Sequence, residues 1–217
     1  MTEPSSPVLY TVAGPRGPGR LSTMARPRGH GHLAGDMAAL RGAGADVVVS
    51  ALPAAERAQL GLADEPQLAE TAGLRFVALP IPDFTVPSIP AVLPVLRDLA
   101  EELRAGAHVV AHCRCAIGRS SLIAVSLMIL EGITPETAWT AMERARGARV
   151  PDTEEQRAWT LDFFRFVFPW RAAPDRNRAA GPPDPPTTRI APNTVTGAAR
   201  TCPEGTDAGP NGSQIRA

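Results

Sequence analysis

The segment VVAHCRCAIGRSSLIAV, residues 109–125, joins a short apolar run to a longer one through a polar loop. The first run has the length and composition of a buried strand, and the second is long enough to begin a buried helix. In open α/β sheets, ligands bind beyond the carboxyl end of a strand, where a helix follows it. The segment therefore predicts an α/β fold with a ligand site between His112 and Ser120.

Strand and helix patterns alternate along the chain before this loop. The β-type runs are residues 8–12, 20–24, 47–49, 74–79 and 108–113. The first two favour a hairpin, and β-branched residues dominate the third, as in a strand covered on both faces. Three helices are predicted after the loop, beginning near Ser120, Thr134 and Thr153. This order favours a largely parallel central sheet flanked by helices, with a C-terminal helical cluster.

The overall charge gives no reason to expect a polyanionic partner. Lys plus Arg and Asp plus Glu number 22 each, so the formal net charge is zero. The N-terminus is too polar for a signal peptide, and the longest strongly apolar run, 122–130, is too short to cross a bilayer. Three cysteines are too few and odd in number for a disulfide framework. We expect a cytoplasmic protein with no nucleic-acid or membrane partner, whose oligomeric state the sequence does not indicate.

The composition changes near residue 171. Proline, glycine and small polar residues dominate 171–217, which has little apolar surface to bury and is expected to be disordered. Cys202 lies in this tail, where we expect it to be incidental. The cluster of aromatic residues between 159 and 168 favours a closing helix, so one domain is predicted over residues 1–170.

The spacing of Cys113 and Arg119 indicates anion chemistry. Five intervening residues are enough for a loop whose successive N–H groups converge on a tetrahedral oxyanion, at the positive end of the following helix. The planar guanidinium of Arg119 can bind two oxygens of a phosphate at once. The same environment favours the thiolate form of Cys113, which is a nucleophile.

The pattern His112-Cys113-x5-Arg119-Ser120 resembles the signature of cysteine-dependent protein tyrosine phosphatases, most closely of small bacterial dual-specificity-like proteins. The resemblance implies a metal-independent hydrolase without a cofactor, with residues 1–170 as its catalytic domain. Cys113 would carry a phosphocysteine intermediate, Arg119 would bind the phosphate, Ser120 would stabilise the departing thiolate, and His112 would support Cys113 structurally. The phosphate-binding loop would comprise Arg114, Cys115, Ala116, Ile117 and Gly118, with Arg114 pointing outward at the rim.

One position departs from the family pattern. Relatives usually have glycine where this chain has Ala116. If the backbone there takes a positive φ, alanine costs about 1 kcal/mol or somewhat more.

Two further residues are predicted at the site. Asp83, the only acidic residue of the proline-rich stretch LPIPDFTVPSIP, is the candidate general acid, about thirty residues before the nucleophile as the resemblance implies. A role in starting a turn is the alternative for Asp83. Gln156 is a candidate for bordering the pocket and positioning water, but Thr153-x-x-Gln156 also matches a capping box, which needs no substrate.

Several functions stay open at this point. A phosphotyrosine phosphatase with possible activity on phosphoserine and phosphothreonine is favoured, acting on a phosphorylated protein or a small phosphomonoester. The alternatives are a phosphate-recognising module without turnover, a phosphoinositide or inositol phosphate phosphatase, and a rhodanese-like sulfurtransferase. A redox protein is disfavoured because a disulfide between Cys113 and Cys115 would be strained, although Cys115 is close enough to trap an oxidised Cys113. His30 and His32 lack further partners at metal-ligand spacing, so no metal site is predicted.

Overall fold

A five-stranded sheet forms the centre of the computed structural model, which describes residues 7–12 and 17–170. Its strand order is β1-β2-β5-β3-β4, and all neighbours are parallel except the antiparallel pair β1 and β2. The strands are β1 (Tyr10–Val12), β2 (Arg20–Met24), β3 (Val47–Ser50), β4 (Arg75–Ala78) and β5 (His108–His112). The predicted fold class, a largely parallel sheet flanked by helices, is confirmed.

Seven helices surround this sheet. They are α1 (Leu33–Gly42), α2 (Ala54–Gln59), α3 (Glu65–Thr71), α4 (Ile89–Arg104), α5 (Arg119–Leu130), α6 (Pro135–Arg146) and α7 (Glu154–Val167). Every residue of α5 except Leu130 is buried, because α4, α6 and α7 pack around it. The hydroxyl of Ser126 within it donates to the carbonyl of Leu122, so this polar group is buried with a partner. The helix that follows the loop of residues 113–118 is therefore the central helix of the domain.

The parallel strands bring their carboxyl ends to one edge of the sheet. Met24 and Ser50 are both in register with His112, so the segments after β2, β3 and β5 begin side by side. The chain after β4 stays at this edge, because the amides of Leu79 and Ile81 donate to the carbonyls of Ser50 and Ala51. Four segments distant in sequence therefore surround one position.

Most predicted elements are present, with some differences at their ends. Thr134 and Thr153 cap α6 and α7 through their side chains, as predicted. The first strand is shorter than the predicted run 8–12, and α2 was not predicted at all. The predicted tail, 171–217, and Cys202 lie outside the described residues. Within 7–12 and 17–170, no helix combines the length and the apolar character needed to cross a bilayer.

Candidate active site

Cys113 and Ser120 lie against each other at the two ends of the loop. Cys113 directly follows β5, its thiol is free and its side chain is buried. Its Sγ is 3.2 Å from Oγ of Ser120, in the first turn of α5. A hydroxyl at this distance can donate a hydrogen bond to a thiolate and stabilise its negative charge. The predicted pairing of these two residues is thus present in the fold.

The carbonyl groups of the loop are bound from outside. The carbonyl of Arg114 accepts from the amide of Arg26 at 3.3 Å. Those of Cys115 and Ala116 accept from Nη2 and Nε of Arg146, at 3.4 and 3.2 Å. In a planar trans peptide, the C=O of one residue and the N–H of the next point in opposite directions. The amides of residues 116 and 117 therefore point away from Arg146 and that of residue 115 points away from Arg26, and converging amides are what an oxyanion site requires.

Arg119 is held by two carboxylates. Its Nη1 and Nη2 donate to the two oxygens of Glu56, at 2.7 and 3.1 Å, and Nη1 also donates to the carbonyl of Ile81 at 3.3 Å. Nη2 lies 3.1 Å from Oδ1 of Asp83. The guanidinium is only 2% exposed, so its direction is fixed by these partners. Its Nε–H is the remaining donor of the planar fork and is available to an anion in the loop.

The electrostatic balance at Arg119 keeps it charged. Burial disfavours the cation, but the hydrogen bonds that Arg119 donates to Glu56 and the charges of Cys113 and Asp83 outweigh it, and the pKa of Arg119 is raised above its usual value. A permanently charged guanidinium at this position attracts a dianionic phosphate.

The Asp83 loop is fixed over the site by α7. Nε2 of Gln156 donates to the carbonyl of Thr85 at 3.4 Å, and Nε1 of Trp159 donates to that of Pro87 at 2.7 Å. The amide of Gln156 donates to Oγ1 of Thr153, so only one half of the predicted capping box forms. The Gln156 side chain instead binds the loop that carries Asp83.

Gly118 packs closely against the side chains of Asp152 and Gln156. A Cβ at this position would lie 2.2 Å from Oδ2 of Asp152 and 2.9 Å from Oε1 of Gln156. That Gln156 oxygen is buried and has no hydrogen-bond partner in the protein. Two polar oxygens therefore lie directly against the part of the loop that precedes Arg119, where a water molecule could donate the missing hydrogen bond to Oε1 of Gln156.

His112, directly before the nucleophile, is part of a buried pair. Its Nε2 lies 2.7 Å from Oε1 of Glu65, the first residue of α3, and both side chains are completely buried. Removal of either side chain would leave the other buried without its partner and would destabilise the fold. His112 was predicted as structural support for Cys113, and Glu65 now provides the partner through which it is held.

The backbone of Ala116 takes the positive φ on which the expected cost of alanine at this position depends. Its φ is +58°, in the left-handed region that favours glycine. The alanine side chain is completely buried, so it also fills space in the loop.

We therefore expect Ala116→Gly to raise the free energy of unfolding by about 0.5–1 kcal/mol, because it relieves strain greater than the entropy that glycine adds to the unfolded chain. Chemical denaturation measures this change. The control is Ala145→Gly within α6, which should lower stability by about 0.5–1 kcal/mol. A loss of similar size at Ala116 would mean that the buried methyl group contributes more than the strain costs.

The remaining predicted loop residues are placed as follows. Arg114 is exposed at the rim, as predicted, Gly118 is buried, and Cys115 and Ile117 are partly buried. His30 and His32 form an exposed 3₁₀ turn. In the part of the chain that the structure describes, no three His, Cys, Asp or Glu side chains are grouped so that they could hold a metal ion.

Sequence reasoning missed three residues that hold the site in place: Glu56, Glu65 and Arg146. Glu56 lies in a six-residue helix that was not predicted, and Arg146 is at the end of a helix more than twenty-five residues beyond the loop. Arg146 also packs over the ring of Tyr10 in β1, with its guanidinium carbon 4.2 Å from the ring centroid. In the sequence these three residues look like ordinary charged residues on exposed helix faces, so nothing indicated that they contact the site.

Comparison with known proteins agrees with this geometry. A family model described as "Tc-R-P: Polymorphic toxin system, DSP-PTPase phosphatase" matches residues 22–133, just over half of the chain. No curated protein matches the sequence significantly.

Solved structures share the fold. Kinase associated phosphatase, with its catalytic cysteine replaced by serine, has a TM-score of 0.66 at 19% identity, covering 78% of this chain and 98% of its own. Tk-PTP in its active form has a TM-score of 0.55 at 27% identity, covering 71% and 96%. PTPMT1 in complex with PI(5)P has a TM-score of 0.56 at 16% identity, covering 69% and 94%.

Proposed function

Because this chain belongs to the DSP-PTPase phosphatase family of polymorphic toxin systems, within the cysteine-dependent protein tyrosine phosphatase superfamily, we propose that it hydrolyses phosphomonoesters through a phosphocysteine on Cys113. Phosphotyrosine in proteins is the proposed principal substrate, with phosphoserine and phosphothreonine as further ones. The supporting observation is the juxtaposition on one loop of a free Cys113, the Ser120 hydroxyl and the guanidinium of Arg119, with the loop carbonyls bound outward.

In the first step, Sγ of Cys113 attacks phosphorus, the S–P bond forms and the ester P–O bond breaks. The leaving oxygen takes a proton from the carboxyl group of Asp83. The contact between Asp83 and Nη2 of Arg119 supports this assignment, since it places the carboxyl beside the phosphate-binding guanidinium. A phosphate bound to Arg119 would take over the contact with Nη2 and leave the Asp83 carboxyl beside the leaving oxygen.

In the second step, water attacks phosphorus, Asp83 accepts a proton from that water, and the S–P bond breaks to release phosphate. Ser120 stabilises the departing thiolate of Cys113 across their 3.2 Å contact. Gln156 orients the water: its Oε1 is buried, has no partner in the protein and lies against Gly118. The proton that Asp83 donated in the first step is thus recovered, and no metal or cofactor takes part.

The test of the proposed function is hydrolysis of an aryl phosphate in the presence of a chelator by the wild type and by Cys113→Ser. We expect vanadate-sensitive turnover by the wild type and no measurable turnover by the variant, because serine is a far weaker nucleophile than a thiolate. Trapping of a phosphorylated cysteine in acid-quenched protein would identify the intermediate. Activity that survives in Cys113→Ser would overturn the mechanism, and phosphate binding without turnover in the wild type would indicate a recognition module instead.

Asp83→Asn is expected to lower kcat about a hundredfold for an alkyl phosphate, and less for an aryl phosphate with an acidic leaving group, because that leaving group needs less protonation. Inhibition by inorganic phosphate should be retained, since Arg119 and the loop are unchanged. Kinetics on the two substrates test this prediction. Equal losses on both substrates would place the general acid elsewhere.

A further inference from the structure

Arg146 binds the phosphate-binding loop without a carboxylate partner of its own. Its guanidinium donates to the carbonyls of Cys115 and Ala116, and no Asp or Glu side chain of the described residues pairs with it. Arg119, by contrast, binds both oxygens of Glu56. Because a guanidinium stays charged in proteins, the cation of Arg146 must be held in place by uncharged groups.

The ring of Tyr10, in β1, is the uncharged side chain that lies against this cation. The guanidinium carbon of Arg146 is 4.2 Å from the ring centroid, inside the distance of about 6 Å over which a ring face attracts a cation. The two carbonyl contacts, at 3.2 and 3.4 Å, are long for hydrogen bonds from a guanidinium and fix its direction only weakly. The ring contact therefore contributes much of what holds Arg146 on the loop.

The strand that carries Tyr10 is tied to the strand that carries the nucleophile. β1 lies at the edge of the sheet and pairs with β2. Oγ1 of Thr11 is 2.9 Å from Oγ of Ser22 in β2, and that oxygen is 2.8 Å from Nε2 of His108 in β5. Since β5 leads directly into Cys113, the Tyr10 ring and the phosphate-binding loop are fixed relative to each other, and Arg146 bridges them.

The Arg146 cation acts on a bound phosphate through two peptide groups. The carbonyl of Cys115 shares a peptide group with the N–H of Ala116, and the carbonyl of Ala116 shares one with the N–H of Ile117. A hydrogen bond from a cation to the oxygen of a peptide group polarises it and strengthens the hydrogen bond that its N–H donates. A carboxylate beside Arg146 would offset this charge, whereas a ring face attracts the cation and carries no net charge.

Building on the proposed function, we infer that Tyr10 is a positioning residue for phosphate binding and turnover. Its ring holds the guanidinium of Arg146 on the loop carbonyls and leaves the positive charge available to polarise the loop amides toward the phosphate. Tyr10 does not touch the substrate, and its ring face, not its hydroxyl, makes the contact. This role makes β1 part of the catalytic unit, although β1 precedes the family segment 22–133.

The test measures the inhibition constant of inorganic phosphate and kcat/KM for an aryl phosphate. Tyr10→Leu should weaken inhibition by phosphate about three- to tenfold and lower kcat/KM by at least as much, because the cation–π contact is lost. Tyr10→Phe keeps the ring and should stay within about twofold of wild type in both. An inhibition constant does not depend on how much of the protein is folded, so a loss of stability alone would not change it. Tyr10→Val, which suits a strand, gives the same comparison if the leucine variant does not fold.

Phe76→Leu is the matched control. The Phe76 ring lies under the guanidinium of Arg57, 5.5 Å from its carbon atom, on β4 at the opposite edge of the sheet from β1. Its replacement removes a similar contact and should leave inhibition by phosphate within about twofold of wild type.

A double-mutant cycle tests whether Tyr10 acts through Arg146. In an Arg146→Gln background, Tyr10→Leu should have no further effect on inhibition by phosphate, because the cation that the ring holds is already absent. Additive losses would overturn the inference. So would an inhibition constant that Tyr10→Leu leaves unchanged, or a loss in Tyr10→Phe equal to that in Tyr10→Leu.

Calorimetric binding of inorganic phosphate needs no turnover and separates this inference from the proposed function. Weaker binding by Tyr10→Leu than by the wild type supports the ring contact even if the wild type proves inactive, whereas failure of the proposed function appears as an inactive wild type. Equal binding by the two proteins would overturn the inference.

Discussion

Arg119→Lys is expected to lower kcat/KM for an aryl phosphate about a thousandfold, even though the positive charge is retained. Arginine binds Glu56 through two nitrogen atoms, so one planar group is fixed at a single angle beside the loop. A lysine ammonium can pair with Glu56 or contact the phosphate, but it lacks the fixed fork that does both. Steady-state kinetics and inhibition by vanadate measure the loss.

The matched control is Arg75→Lys. Arg75 pairs with Glu102 at the opposite end of β4, away from the carboxyl edge of the sheet. Its replacement should leave kcat/KM within about twofold of wild type, because surface ion pairs contribute little. Turnover of Arg119→Lys close to wild type would contradict the two-point contact. The kcat/KM of Glu56→Gln should lie between those of Arg119→Lys and Arg75→Lys, because Glu56 positions Arg119 and does not touch the substrate.

Glu65→Leu is expected to lower the free energy of unfolding by about 1–3 kcal/mol, because it leaves the buried polar ring of His112 without the group that lies against it. The two side chains are completely buried, with Nε2 and Oε1 2.7 Å apart. Urea denaturation of the variant measures the change. Since His112 precedes the nucleophile, we also expect kcat to fall under conditions in which the variant remains folded.

A double-mutant cycle separates loss of the pair from loss of packing. Glu65→Leu with His112→Leu should cost less than the sum of the two single variants, because the second replacement removes the group left unpaired. Glu70→Leu, at an exposed position on the same helix, should stay within about 0.5 kcal/mol of wild type. Additive costs in the cycle would show that the two side chains do not stabilise each other.

The parts of this protein that could be predicted from sequence are those in which neighbours in the chain are neighbours in space. The strand, loop and helix around Cys113 occupy consecutive residues, so their apolar pattern and the spacing to Arg119 define both the sheet and the phosphate-binding loop. The caps at Thr134 and Thr153 are equally local, and the structure contains both.

The parts that could not be predicted depend on contacts between distant segments. Glu56 lies in AAERAQ, a stretch too short for a clear helical period and typical of an exposed helix, and only packing places it against Arg119. Arg146 resembles any basic residue in a last helical turn. At Gln156 the sequence predicted only the local capping pattern. The backbone amide follows that pattern, but the side chain binds the carbonyl of Thr85, which is distant in sequence.

The hydrogen bonds from Arg146 to the loop carbonyls also set the shortest length of chain that we expect to be active. The residues proposed to do the chemistry, from Asp83 to Ser120, all lie within the family segment 22–133. The groups that hold the loop carbonyls outward and fix the acid loop lie later in the chain, in Arg146, Gln156 and Trp159. A chain ending after Ile133 would contain every reacting group and still lack the geometry for turnover. During synthesis, activity is therefore expected only after α7 has left the ribosome.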